Sequence, residues 1–63
     1  IRDRDGQAIA AAQKALAVGG WLYLEAPRAY DAEEIAALGL QPYRYLKAGA
    51  VHAHLLQRIA PQP

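Results

Sequence analysis

Two histidines near the end of the chain, His52 and His54, have the spacing of a two-imidazole metal site. Residues two apart on a β-strand project from the same face, so both rings can approach one ion. A zinc site needs at least three protein ligands, and the chain has no cysteine and no carboxylate close to these histidines in the sequence. We therefore predict histidines that face solvent or lie beneath a helix, and no metal site.

A second group combines aromatic and basic side chains: Tyr43, Arg44, Tyr45 and Arg58. Aromatic rings beside cations can stack nucleic-acid bases. Aromatic residues are also favoured in sheets for packing alone. Because Tyr43 and Tyr45 share one face at strand spacing, the default expectation is two half-buried or core tyrosines.

The composition limits the classes of protein that remain. A chain of 63 residues makes one small domain that buries only about 60% of its unfolded surface. The absence of cysteine excludes disulfides and thiolate sites, and a net charge of +1 gives no general case for nucleic-acid binding. No apolar run suits a membrane span and no signal peptide is visible, so a cytoplasmic location is expected. The lack of any methionine suggests an excised piece of a longer protein.

The first predicted element is a helix from about Gln7 to Val18. Asp3 and Asp5 are candidate N-caps, because their carboxylates can accept the unpaired N–H groups of the first turn. Gly19 can take the left-handed conformation that ends a helix. The apolar stripe of this helix consists of Ile9, Ala12 and Leu16.

A short strand is predicted from Trp21 to Glu25, ending before Pro27. Both of its faces are apolar, which is typical of a strand covered on both sides in a parallel α/β sheet. Glu25 then lies at the carboxyl end of the strand, where open α/β sheets place ligands.

A second helix is predicted over Ala32 to Leu38, with Asp31 as its N-cap. Glu34 stands three residues after Asp31 and completes a capping box. Capping therefore accounts for Asp31 and Glu34, and we expect no acid–base pair among the acidic residues here. Gly39 ends the helix.

Two strands close the chain, Tyr43 to Lys47 and Ala50 to Arg58, joined by a turn at Ala48-Gly49. Pro42 before the first of them cannot donate to a ladder, which favours an edge strand. We predict one α/β domain over residues 1–63 with a loose tail at 60–63. Its two helices accompany a three-stranded mixed sheet, with the last strand antiparallel and inserted between the other two.

Two stretches carry a resemblance to a known family. One is the strand Gly20-Trp21-Leu22-Tyr23-Leu24-Glu25; the other is the turn Lys47-Ala48-Gly49 with Val51, Leu55, Gln57 and Arg58 of the final strand. With the expected order of elements, they resemble the C-terminal end of the Rossmann-like class I S-adenosylmethionine-dependent methyltransferases. Among these, the chain is similar from about Ala8 to Arg58 to the bacterial small-subunit ribosomal RNA guanine-N2 methyltransferase family.

The resemblance implies a parent enzyme that transfers a methyl group from S-adenosylmethionine to a guanine amine of ribosomal RNA. The family's glycine-rich cofactor loop and its Asp/Asn-Pro-Pro-aromatic motif are absent from this chain and lie upstream in the family. No catalytic or cofactor-binding residue is therefore assigned here. We expect the chain alone to complete a sheet, to be inactive and to hold no cofactor.

The resemblance also implies RNA contacts for Arg28, Lys47 and Gly49. The first two could touch phosphates, while Gly49 lets the backbone approach closely. The alternative is that Arg28 and Lys47 are solvated loop charges and that Gly49 only makes the turn.

A rival hypothesis is a free-standing interaction module that binds a partner through its sheet. If Trp21–Glu25 is an exposed edge, it can pair with another chain or self-associate. The same exposed edge is expected of a methyltransferase fragment.

Overall fold

The computed structural model of the chain describes residues 7–60, and in this range it contains two helices and three strands. The candidate N-caps Asp3 and Asp5, and most of the predicted tail, lie outside the described residues. No helix within residues 7–60 has the length and apolar character needed to cross a membrane. In chain order the elements are α1 (Gln7–Ala15), β1 (Trp21–Ala26), α2 (Ala32–Ala37), β2 (Leu40–Ala48) and β3 (Val51–Arg58).

The three strands form one sheet in the order β1-β3-β2. The last strand lies between the first two and is antiparallel to both, so β1 and β2 run parallel to each other and both are hydrogen-bonded to β3. In the register, Leu22 lies opposite Leu56, and His54 lies between Leu24 on one side and Tyr45 on the other. The predicted small α/β fold with an inserted final strand is confirmed.

The core lies on one face of the sheet, which we call the helix face. Ile9 of α1 and Ile35 of α2 join the same buried cluster, so both helices cover this face. Each fully buried Leu or Ile side chain contributes roughly 1.5–3 kcal/mol by removal from water. The buried hydrophobic residues are Ile9, Leu22, Leu24, Ala26, Ile35, Leu40 and Leu56.

The opposite face of β1 is not covered by any described residue range, and both Trp21 and Tyr23 are exposed. Within residues 7–60, the prediction that β1 is covered on both sides is therefore wrong. The run of apolar residues shows that both faces of β1 are apolar. It does not show which elements pack on each face.

The first helix ends at Ala15, three residues before the predicted end. After it, the N–H of Gly19 donates to the carbonyl of Arg58 at 2.8 Å, and the N–H of Arg58 donates to Gly20 at 2.9 Å. The helix therefore ends before Gly19 and Gly20, because these two glycines are hydrogen-bonded to Arg58 at the end of β3. Gly19 has the predicted left-handed conformation, with φ +85°.

The predicted capping box at α2 is confirmed. Asp31 Oδ1 accepts the N–H of Glu34 at 2.8 Å, and Glu34 Oε1 accepts the N–H of Asp31 at 3.1 Å. Gly39 follows the helix with φ +77°. A β-carbon at Gly39 would come within 2.8 Å of Gln13 Nε2, so α1 reaches across to the end of α2.

The second strand begins at Leu40, earlier than predicted, and carries Pro42 within it on the edge of the sheet. The register shifts between Pro42 and Arg44, which marks a β-bulge at Tyr43. The turn also lies one residue later than predicted, because Ala48 still pairs with Val51. Gly49, at φ +60°, therefore occupies the first central position of a two-residue hairpin turn.

Candidate functional site

The carboxyl end of β1 and the β2–β3 turn lie at one end of the sheet, which we call the loop end. Ala26, His52 and Lys47 form one row across the three strands. Neighbouring strands are about 4.8 Å apart, so the backbones at Ala26 and Lys47 are about 10 Å apart. The sequence-predicted residues Arg28, Lys47 and Gly49 are thus brought to the same end, as expected.

Arg28 is held by an ion pair to α2. Its Nη1 and Nη2 atoms donate to the two carboxylate oxygens of Glu34 at 2.9 and 2.6 Å, and its guanidinium lies 4.2 Å from the ring centre of Tyr30. The Glu34 hydrogen bond raises the pKa of Arg28. The same contact lowers the pKa of Glu34 to about 2. The ion pair therefore links the loop after β1 to α2, and Glu34 balances the positive charge of Arg28.

Lys47 and Gly49 lie on the exposed surface of the hairpin. A β-carbon at Gly49 would meet no atom within 4 Å. The need for glycine therefore comes from its positive φ, and the surface above the turn is open to a ligand. The RNA-contact role of Arg28, Lys47 and Gly49 remains a prediction.

His54 is buried beneath the loop after β1, with 2% of its surface exposed. Its Nε2 accepts the backbone N–H of Tyr30 at 3.1 Å. The ring centres of Tyr30 and Tyr45 lie 5.5 and 5.2 Å from that of His54. No sequence pattern distinguished this histidine from its neighbour, because its burial depends on a loop more than twenty residues away.

The acceptor role of Nε2 requires a neutral His54 ring with its proton on Nδ1. Nδ1 is buried and has no hydrogen-bond partner in the structure. Burial is also the main cause that lowers the pKa of His54. The ring is therefore an acceptor for the loop and is poorly suited to carrying a charge.

His52 lies on the same face as His54 but is only half-buried. Its Nδ1 is 2.5 Å from the hydroxyl of Tyr45, and the two ring centres are 5.9 Å apart. Across residues 7–60, no group of three or more His, Cys, Asp or Glu side chains is placed to hold a metal ion. His52 instead contacts the hydroxyl of Tyr45, and His54 accepts a hydrogen bond from the loop after β1.

Tyr43 and Tyr45 lie on opposite faces, so the prediction of a shared face is wrong. Tyr45 pairs with His54 on the helix face, whereas the Tyr43 ring centre is 4.9 Å from that of Trp21 on the other face. The bulge at Tyr43 reverses the alternation. The expectation of burial is also wrong, because 59% of Tyr43 and 51% of Tyr45 are exposed.

The face opposite the helices, which we call the open face, thus carries several large exposed side chains. The exposed fractions are 49% for Trp21, 52% for Tyr23, 59% for Tyr43 and 67% for Leu46. Arg44 belongs to this face, since it pairs with Leu55 beyond the bulge. Arg58 does not contribute to it, because its Nη1 donates to the Leu16 carbonyl at the end of α1.

No family model, curated protein or solved structure matches the chain.

Proposed function

We propose that this chain is the C-terminal part of an S-adenosylmethionine-dependent ribosomal RNA guanine-N2 methyltransferase. Its strand order, β1-β3-β2, is the observation that carries the proposal. The resemblance implies a domain whose last strand returns antiparallel between two parallel strands. The helix α2 connects those parallel strands, and the β2–β3 hairpin supplies the return.

The resembling residues coincide with the elements that build this topology. The stretch from Gly20 to Glu25 leads into and forms most of β1, and Lys47-Ala48-Gly49 leads through the hairpin into β3. Among the described residues, β1 is an edge strand. A free edge is expected where a larger sheet continues into the rest of the enzyme.

The chain contributes positioning and sheet completion, and no residue in it is assigned to the chemical step. Among residues 7–60, the glycines with positive φ are Gly19, Gly39 and Gly49. The first two follow helices and the third makes a hairpin, whereas a cofactor loop needs glycines between a strand and the helix after it. The residues present do not fit S-adenosylmethionine, so we derive no step through it.

In the parent, the loop end would contribute RNA contacts. Lys47 projects from an exposed hairpin, and Gly49 leaves the surface beside it open. Phosphate contacts of this kind fix the register of an RNA without reading its sequence. Arg28 would contribute through the outer side of a guanidinium already oriented by Glu34.

The test is a methyl-transfer assay on the complete reading frame that encodes the chain. Purified protein, labelled S-adenosylmethionine and small ribosomal subunits should give labelled ribosomal RNA, with N2-methylguanosine found after digestion to nucleosides. The isolated chain, assayed in parallel, should give none. Transfer by the isolated chain, or no transfer by the complete protein, would contradict the proposal.

A second candidate is a free-standing module that binds through β1, and the two sheet edges favour it. The β2 edge carries Pro42, a bulge and Lys47, all of which discourage pairing with another strand. The six residues of β1 include no proline, glycine or lysine. This candidate predicts self-association through Trp21–Glu25, measured as a mass that rises with concentration in light scattering, and no methyl transfer by the complete protein.

A further inference from the structure

A cluster of aromatic and basic side chains lies on the helix face at the loop end of the sheet. It consists of Tyr45 and Lys47 on β2 and of His52 and His54 on β3. Lys47 lies directly opposite His52, and Tyr45 lies directly opposite His54. His54 is buried, whereas Tyr45 and Lys47 are exposed and His52 is half-buried. Three chemically different groups are therefore open to a ligand: an aromatic ring, an ammonium group and an imidazole.

The cluster stays accessible after the helices have packed. Both α1 and α2 contribute to the core on this face, and 51% of Tyr45 remains exposed beside them. The strand β2 is an outer strand of the described sheet, and Pro42 and the bulge within it discourage pairing with a further strand. In the proposed parent enzyme the sheet continues from the opposite edge, β1. The rest of that sheet and its helices therefore lie away from Tyr45.

The ring of Tyr45 is held in one orientation by two imidazoles. Its hydroxyl lies 2.5 Å from Nδ1 of His52, and the planes of these two rings are 30° apart. Its ring centre lies 5.2 Å from that of the buried His54. A side chain that is already fixed loses little conformational entropy when a flat group stacks on its exposed side. Tyr45 is therefore a preformed surface for stacking.

The contact with Tyr45 also determines what His52 can offer to a ligand. When the Tyr45 hydroxyl donates to Nδ1, the proton of the neutral ring lies on Nε2, and this N–H can donate in turn. Lys47 stands opposite His52, so the β-carbons of the two residues are about 5 Å apart. Ala26 completes this row of the sheet on β1, so no carboxylate opposes the ammonium group across the strands. The pair of His52 and Lys47 therefore presents hydrogen-bond donors to an anion.

We infer that this cluster binds one unpaired nucleotide of an RNA strand, with the base stacked on Tyr45 and the phosphate held by Lys47 and His52. Tyr45 and Lys47 are two residues apart on β2, about 6.8 Å along the strand, a distance that one nucleotide can span. Aromatic rings beside cations bind single-stranded RNA through stacking and charge together. The choice of RNA rests on the proposed function, whereas the nucleotide chemistry does not. Tyr45 adds to the phosphate contact of Lys47 a requirement for an unpaired base.

NMR titrations of the isotopically labelled chain test the site with a single-stranded hexaadenylate and with inorganic phosphate. Hexaadenylate should shift the ring signals of Tyr45 and His52 in a saturable manner, and raising the salt from about 50 mM to about 200 mM should weaken its binding. Inorganic phosphate should shift the signals of His52 and Lys47 more than those of the Tyr45 ring. A duplex RNA of the same length should shift the Tyr45 ring less, because its bases are already paired.

Tyr45→Ala and Tyr43→Ala form a matched pair of variants, because both tyrosines are exposed residues of β2 on opposite faces. Tyr45→Ala should weaken hexaadenylate binding about tenfold, while Tyr43→Ala should bind like the original chain. Tyr45→Phe keeps the ring and removes the hydroxyl contact with His52, so it should weaken binding less than Tyr45→Ala. Circular dichroism checks that the variants remain folded, and the titrations of the original chain test the site without any substitution.

Three results would overturn the inference: no saturable shift with hexaadenylate, equal weakening by Tyr45→Ala and Tyr43→Ala, or the same shifts with inorganic phosphate as with hexaadenylate. The last result would leave an anion site without base stacking. The titrations need no methyl transfer. Nucleotide binding at Tyr45 without methylation by the complete protein would reject the proposed function alone, and methylation without this binding would reject this inference alone.

Discussion

The backbone N–H of Tyr30 donates a hydrogen bond to Nε2 of His54 across 3.1 Å, and it ties the loop after β1 to the central strand. This contact exists only while Nε2 keeps its lone pair. A charged His54 would lose its acceptor and would carry a buried charge at the same time. The loop end of the sheet is therefore held most firmly when this histidine is neutral.

Stability should fall as the pH drops below the ordinary histidine pKa of 6.5. Burial lowers the pKa of His54 in the folded state. Below pH 6.5 the unfolded chain therefore binds more protons than the folded chain, and the folded state loses stability as the pH decreases. Urea unfolding at pH 7.5 and pH 5.5 measures the effect. His54→Gln keeps an acceptor without titrating and should reduce the difference; an unchanged difference in this variant would contradict the assignment.

A second loss of stability should occur in acid. The pKa of Glu34 is lowered from 4.5 to about 2 by its hydrogen bonds to Arg28 and Asp31. Its contribution is therefore present above pH 4.5 and is lost as the pH falls toward 2. Glu34→Gln should flatten this part of the stability profile, measured by thermal unfolding, while Glu33→Gln should leave it unchanged. Equal flattening by both variants would contradict the ion pair.

The two faces of the sheet should respond differently to the same truncation. Leu56 is fully buried and Leu46 is 67% exposed. Leu56→Ala should cost about 2–5 kcal/mol of unfolding free energy, and Leu46→Ala should change it by less than about 0.5 kcal/mol. Chemical denaturation measures both. A large cost for Leu46→Ala would show that the open face is part of a folded core.

The hairpin should require glycine for its backbone conformation alone. Gly49→Ala should cost about 1–2 kcal/mol, because an alanine at φ +60° is strained, although its β-carbon meets no atom. Gly49→Asn should cost less, since asparagine tolerates the left-handed region. If Gly49→Ala is as stable as the original chain, the turn does not have this geometry.

The RNA role of the hairpin predicts a salt-dependent effect in the complete protein. Lys47→Ala should weaken RNA binding for all sequences and should lower the slope of log affinity against log salt by about 1. Lys14→Ala, which removes an exposed charge from α1, is the matched control and should have no effect. Equal effects of the two variants would indicate a general charge effect and no specific contact.

The sequence allowed the fold to be predicted where local chemistry decides the structure. The spacing of Asp31 and Glu34 defines a capping box, so α2 could be predicted. Pro42 cannot donate to a strand ladder, so the position of β2 at the edge of the sheet could also be predicted. Strand insertion followed from these elements and from the resemblance. Arg28, Lys47 and Gly49 were correctly expected at one end of the sheet.

Features that depend on tertiary context could not be predicted in the same way. The bulge at Tyr43 separates it from Tyr45, and an extra residue in a strand leaves no periodic signal. His54 is buried because Tyr30 folds over it, whereas His52, two residues earlier, stays half-buried. The open face depends on both helices packing on one side, which alternation within β1 does not reveal.

The most direct test of the central claim is made in cells that carry the complete gene. Small-subunit ribosomal RNA is digested and N2-methylguanosine is measured in four strains: the original, a deletion of the gene, the deletion complemented by the intact gene, and the deletion complemented by a gene that lacks the codons for residues 7–60. The account predicts that one N2-methylguanosine disappears on deletion, returns with the intact gene and does not return with the truncated one. An unchanged methylation pattern in the deletion strain, or full restoration by the truncated gene, would contradict it.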